Sequence, residues 1–236
     1  MHCPSLVSIV SSKQYGQTRE ELHLAHFTVK EYLLSKPAYG YEKSNFTITI
    51  TCITYLSCVK KDNVAETITK FPLTRFAARF WMDHAGRTEA PEDILRTILG
   101  FIRDNATFVF WTGLHQPDQP WNDNPGYTKA SGLYFACLKG LVSVVRRLLS
   151  EGADANAQGG QYGNALQAAS SEGHEEIVRQ LLDKGADVNA QGGQYGNALQ
   201  AASYRGHEDI VRQLLDKGAD VNARGGIYGK IGRAHV

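Results

Sequence analysis

One stretch of 33 residues is written twice in this chain, and that repetition limits the fold more than any other feature. Residues 163–195 read GNALQAASSEGHEEIVRQLLDKGADVNAQGGQY, and residues 196–228 repeat them with five differences. Residues 130–162 are a more diverged copy in the same register, ending GADANAQGGQY. A fixed period of this length means supersecondary units stacked side by side, each too small to bury its own apolar face. Such an array presents an extended surface, which points to binding rather than catalysis.

Within a copy, Asn164 and Asn197 stand at N-cap positions ahead of a short helix of small residues, Ala165, Leu166, Ala168 and Ala169. Gly173 and Gly206 stop that helix. A second helix follows over residues 174–184, with Ile177, Val178, Leu181 and Leu182 on one face. The turn-rich GADVNAQGGQY then leads into the next cap as a hairpin loop. His174 and His207 recur at the start of the second helix with no second ligand beside them, so they read as structural residues, and no metal site is expected.

Charge excludes some partners. The chain has 25 basic and 24 acidic residues, and the repeats alone have 9 and 11, so no field draws it to nucleic acid or an anionic membrane. No apolar run approaches the ~20 residues of a membrane span. The four cysteines have no paired spacing, which fits reduced thiols in a cytoplasmic protein. No cofactor, nucleophile motif or dinucleotide turn is present in the sequence, and the chain is expected not to be an enzyme.

The repeat resembles the ankyrin repeat. The GADVNA, GH-E-IV and LL elements carry the match over residues 130–229, giving repeats at 130–162, 163–195 and 196–228. The family's T-P-L-H helix start is N-A-L-Q here, a variant typical of long, near-identical arrays in fungal receptor-like proteins. The resemblance implies a concave face, lined by first helices and loops, that holds a protein partner. The copies differ there at Ser171/Tyr204, Glu172/Arg205, Gln191/Arg224 and Gln194/Ile227, and these eight residues are the expected partner-binding positions. The fifth difference, Glu176/Asp209, lies on the second helix.

Upstream, residues 5–10 and Leu22 with Leu24 read as two strands around a turn at Tyr15 and Gly16. Thr28 and Glu31 then form a capping box, Phe27 and Tyr32 a staple, and Pro37 stops the helix. The string LHLAHFTVKEYLLS (residues 22–35) resembles the segment after the core of NACHT-type NTPases. That likeness implies a winged-helix tail over residues 1–36, with His26 sensing nucleotide in a full-length parent. It also implies a signal-transducing, innate-immunity-like receptor, whose P-loop and any oligomerisation would belong to that parent. No G-x-x-x-x-G-K-S/T occurs in the sequence itself.

Residues 37–129 are expected to be a helical connector and linker. Leu73, Phe76, Ala77, Phe80 and Trp81 form one apolar stripe. Pro91 opens another helix, burying Ile94, Leu95, Ile98, Leu99 and Ile102. Residues 45–59 are compatible with strand or helix, and the NACHT–ankyrin resemblance favours helix from Thr49. Phe108, Phe110 and Trp111 read as core, and residues 115–129, rich in Pro, Asp, Asn and Gln, as the linker. Residues 230–236, KIGRAHV, interrupt the repeat and back-translate to a common sequencing-library adapter, so they are set aside. With no copy after it, the third repeat should leave part of the Ile210, Val211, Leu214 and Leu215 face without a neighbour. The expected fold class is therefore mostly α: an ankyrin solenoid preceded by a helical connector and a small winged-helix tail.

Overall fold

The structure is a computed structural model and describes residues 7–14, 17–24, 41–59, 64–86, 89–122, 126–223 and 225–226. It divides into two compact units, residues 1–47 and 48–236.

In the first unit, β1 (Val7–Gln14) and β2 (Gln17–Leu24) pair antiparallel from Val7↔Leu24 to Gln14↔Gln17. The winged-helix expectation is corrected here. Among the described residues the two strands pair only with each other. A local turn and alternation specify a hairpin, but a wing also needs a helical body to pack on, which local pattern cannot supply. The helix expected after Thr28, and His26, lie outside the described residues. The fold class is a mostly α-helical, repeat-built solenoid.

Helix α1 (Tyr41–Cys58) runs through the ambiguous threonine-rich segment. β-branched threonines favour strand, but hydroxyls can bond back within a helix. Thr47 Oγ1 donates to the Lys43 carbonyl and Ser57 Oγ to that of Ile53, each at 2.8 Å. Cys52, Ile53, Leu56 and Val59 are buried. After α2 (Val64–Lys70) come α3 (Thr74–Ala85), α4 (Glu92–Arg103) and α5 (Asn105–Leu114). The apolar stripe expected on α3 is split. Ala77, Ala78 and Trp81 are buried, whereas Leu73 and Phe76 are 59% and 50% exposed. Periodicity alone cannot choose between adjacent stripes. Here the paired alanines let α5 approach, and Trp111 Nε1 donates to the Ala78 carbonyl at 2.8 Å.

Three helix pairs build the array: α6 (Gly132–Leu138) with α7 (Val142–Ser150), α8 (Ala165–Glu172) with α9 (Glu175–Asp183), and α10 (Ala198–Arg205) with α11 (Glu208–Asp216). Ser131, Asn164 and Asn197 cap the first helices, accepting from the amides of Tyr134, Gln167 and Gln200. The connector closes the leading side of this array. Ile102 of α4 lies against Gly132 of α6. Charges line the seam: Arg147 pairs with Glu92 at 3.1 Å, Lys139 with Asp83 at 2.7 Å, Arg146 with Glu89 at 3.3 Å, and Arg103 with Glu151. At the other side, Ile210 and Leu214 are fully buried, while Leu215 and Val221 are 41% and 67% exposed. The expected bare face is thus narrower, because Ile210 and Leu214 point inward to their own first helix, α10.

The segment after α5 is tightly held. His115, Gln116 and Asp118 are buried. Burial, together with the charges of Lys139 and Arg79 and against that of Asp83, pushes the His115 pKa from 6.5 down to about 4. The unfolded chain therefore takes this proton first on acidification. His115 contributes no penalty above pH ~6.5, and stability falls as pH drops from there towards 4, by at most about 3 kcal/mol. His115→Gln should flatten that loss, read as the urea midpoint across this pH window.

Candidate interaction surface

Residues at the same position in successive copies become neighbours in a stack, and the ties between copies follow this rule. Gln167 Nε2 reaches the carbonyls of Ala190, Gly192 and Gly196 at 3.1–3.3 Å, and Gln200 Nε2 reaches that of Ala223 at 3.0 Å. This glutamine of N-A-L-Q therefore clamps each helix start to the following hairpin loop. In the GADVNA loops, Asn156 donates to the Gly185 carbonyl and accepts from the Asp187 amide; Asn189 does the same with Gly218 and Asp220, all at 2.7–3.1 Å. His174 Nε2 donates to the Leu138 carbonyl and His207 Nε2 to that of Ser171, both at 3.1 Å. Burial lowers the His174 pKa. Each ring also lies over the glycine of the preceding copy, Gly140 or Gly173.

The eight expected binding positions divide into three groups. Ser171 is fully buried, and Glu172 and Arg205 satisfy one another at 3.2 Å. Tyr162 Oη donates to Glu172 at 3.3 Å, so this carboxylate serves two repeats. Gln194 accepts from Gln161 Nε2 at 2.7 Å, and Gln191 Nε2 donates to the Asn189 carbonyl at 3.1 Å. Arg224 and Ile227 lie outside the described residues. Tyr204 is the one of the eight that displays a large apolar surface among the described residues, at 62% exposed.

Tyr204 ends a row that the sequence did not single out. Tyr162 and Tyr195 are nearly parallel, with ring centroids 5.9 Å apart, and Tyr195 meets Tyr204 at 5.3 Å. Tyr162 and Tyr195, the last residues of their hairpin loops, are themselves buried. Their recurrence at spacing 33 was the available signal. A second unforeseen residue is Asp118, whose Oδ2 accepts from Tyr134 Oη at 2.9 Å and the Gln161 amide at 2.7 Å. Burial, then the Asp118 charge, pushes the Tyr134 pKa well above the usual phenol range. Tyr134 occupies the clamp position held by Gln167 and Gln200 in the later copies.

The family model "Ankyrin repeats (3 copies)" matches residues 120–225. The chain contains an ankyrin-repeat array. Its ankyrin match begins at residue 120, so it takes in Trp121 and the approach to the first cap as well as the three copies. The chain is also similar to a protein of the fungus Monascus ruber named "Azaphilone pigments biosynthesis cluster protein L", at 39% identity over 203 residues. That alignment covers 73% of this chain and 42% of the relative's length. This corrects the NACHT-associated and innate-immunity expectations: the name of the relative speaks of a biosynthetic cluster, not a receptor. Among the described residues no helix is long and apolar enough to cross a membrane.

Proposed function

We propose that this chain is an interaction module that holds a partner protein on the face made by its first helices and hairpin loops, and acts by binding rather than catalysis. The observation that carries this reading is the tyrosine row. Two of its rings are buried and stacked at the ends of the hairpin loops, and the third, Tyr204, is presented to solvent beside Arg205. Exposed Tyr and Arg on rigid supports are the residue types that dominate binding energy at protein interfaces. The ankyrin array supplies the rigid support, since its loops are tied copy to copy by Asn156, Asn189 and Gln167. The pigment-cluster name of the relative fits a scaffold that serves biosynthetic enzymes.

The test is affinity capture from a lysate of the source organism, followed by affinity measurement with the protein retained. Tyr204→Ala should weaken binding about tenfold or more. Arg179→Ala, on the exposed side of the second helix α9, should leave it unchanged. Equal binding by wild type and both variants would overturn the assignment.

A further inference from the structure

The first copy of the repeat departs from the later two at one corner. Where they read Arg-Gln-Leu-Leu-Asp, over residues 179–183 and 212–216, the first reads Arg146-Arg147-Leu148-Leu149-Ser150. A hydroxyl stands in place of a carboxylate, and an arginine in place of a glutamine. Together the two exchanges write Arg-x-x-Ser, the kind of charge pattern by which arginine-directed kinases select their substrates. Ser150 is the last residue of α7 and is exposed. Its Oγ donates to the Arg147 carbonyl at 2.8 Å, a bond of the last turn, where helices fray. Arg146 and Arg147 pair with Glu89 and Glu92, yet their side chains stay 56% and 40% exposed.

The stack itself shows what a negative charge at this position does. In the second copy the position is Asp183, which pairs with Lys217 of the third copy, 34 residues on, at 3.1 Å. The same step from Ser150 leads to Lys184, which follows the last residue of α9. Lys184 is exposed and has no carboxylate partner among the described residues. Glu151, the acid next to Ser150, is held by Arg103. The junction of copies 2 and 3 thus carries two cross-copy ion pairs, Asp183–Lys217 and Glu172–Arg205. Among the described residues the junction of copies 1 and 2 carries neither counterpart. Ser150 has no charge, and Lys139, at the position of Glu172, pairs with Asp83.

We propose that Ser150 is a phosphorylation site, and that its phosphate fastens repeat 1 to repeat 2 through Lys184 as Asp183 fastens repeat 2 to repeat 3. In the transfer, Ser150 Oγ bonds to the γ-phosphorus of a nucleoside triphosphate. The bond from that phosphorus to the β–γ bridging oxygen breaks, the diphosphate leaves, and the hydroxyl proton passes to the base of the kinase. The product is an anion with three strong acceptor oxygens. Arg147 neighbours it one turn back on the same helix, and Lys184 faces it across the junction. A negative charge at a helix C-terminus opposes the helix dipole, but Asp183 and Asp216 end their helices at this same position in the folded array. The inference goes beyond the binding reading above and uses none of its residues.

The test incubates the intact chain with ATP and a purified kinase that selects arginine three residues before serine. One phosphate should appear on Ser150, located by peptide mass, and none there in Ser150→Ala. Phosphorus-31 resonance then follows the phosphate itself. Its titration midpoint should rise by about 0.3 pH units or more in Lys184→Gln, which has lost the cross-copy cation. That difference should shrink at ~500 mM salt. Lys217→Gln, which removes the tie of the next junction, should leave the midpoint in place. Exchange of the Ala186 amide should slow about twofold on phosphorylation of the wild type, but not of Lys184→Gln. No phosphate on Ser150, or a midpoint that ignores Lys184→Gln, would overturn the inference. Tyr204-dependent binding is untouched by either result, and its own failure would leave this site standing.

Discussion

Trp111→Ala should lower stability by about 3–5 kcal/mol, and should loosen the connector and the first repeat together. The ring is fully buried at the meeting point of three elements. It stands edge-on to Trp81 of α3 at 5.3 Å, to Phe101 of α4 at 6.0 Å, and to Phe135 of repeat 1 at 5.4 Å. Phe108, on its own helix, closes the cluster at 5.6 Å. Removing it leaves a cavity that none of these rings can fill without breaking another pair, and domain stability is only ~5–15 kcal/mol in total. Trp111→Phe keeps most of the volume and loses the bond to the Ala78 carbonyl, so it should cost less, about 1–2 kcal/mol. Urea unfolding measures the size. Hydrogen exchange measures the coupling: amides of α6 and α7 should lose protection with those of α3–α5. If α6 and α7 stay protected while the connector opens, the connector is not the cap of the array.

The repeats were legible because their signals are local and recur. Asn164 and Asn197 cap where a side-chain oxygen was needed, and Gly173 and Gly206 adopt the left-handed conformation that ends each first helix. The relation between copies was harder to read. A mismatch such as Glu172/Arg205 looks like surface variation along the chain. In the stack the two positions are adjacent, and the swap of sign turns a repulsion between like carboxylates into an ion pair. Ser171 likewise looks like surface variation along the chain, whereas in the stack it is buried and its carbonyl accepts from His207 of the next copy. The role of Gln167 and Gln200 is invisible within one copy, where Asn caps and Ala packs. Yet a polar residue held at spacing 33 inside a run of alanines asks for a partner at the same spacing, and the loop carbonyls are that partner. On α3, two overlapping stripes satisfied the helical period, and only packing against α5 chose between them.

The loop between repeats 2 and 3 allows a sharper test of what the glycines do. Gly185 and Gly193 both adopt positive φ, +81° and +62°. Around Gly185 there is open space for an added Cβ. Alanine there should cost only the left-handed backbone strain, about 1–2 kcal/mol. At Gly193 an added Cβ would overlap the backbone carbonyl of Tyr162 in the preceding repeat. No rotamer relieves that overlap, so the two hairpins must separate. Separation would break the bond from the Gln194 amide to the Gln161 carbonyl, now 3.1 Å, and part the stacked rings of Tyr162 and Tyr195. Gly193→Ala should therefore cost more than about 3 kcal/mol, well above strain alone. It should also raise hydrogen exchange at the Gln194 amide and weaken any binding that depends on Tyr204, whose ring rests on Tyr195. Equal losses for Gly185→Ala and Gly193→Ala in urea unfolding would mean that backbone strain, and not the close approach of neighbouring loops, fixes glycine in this hairpin.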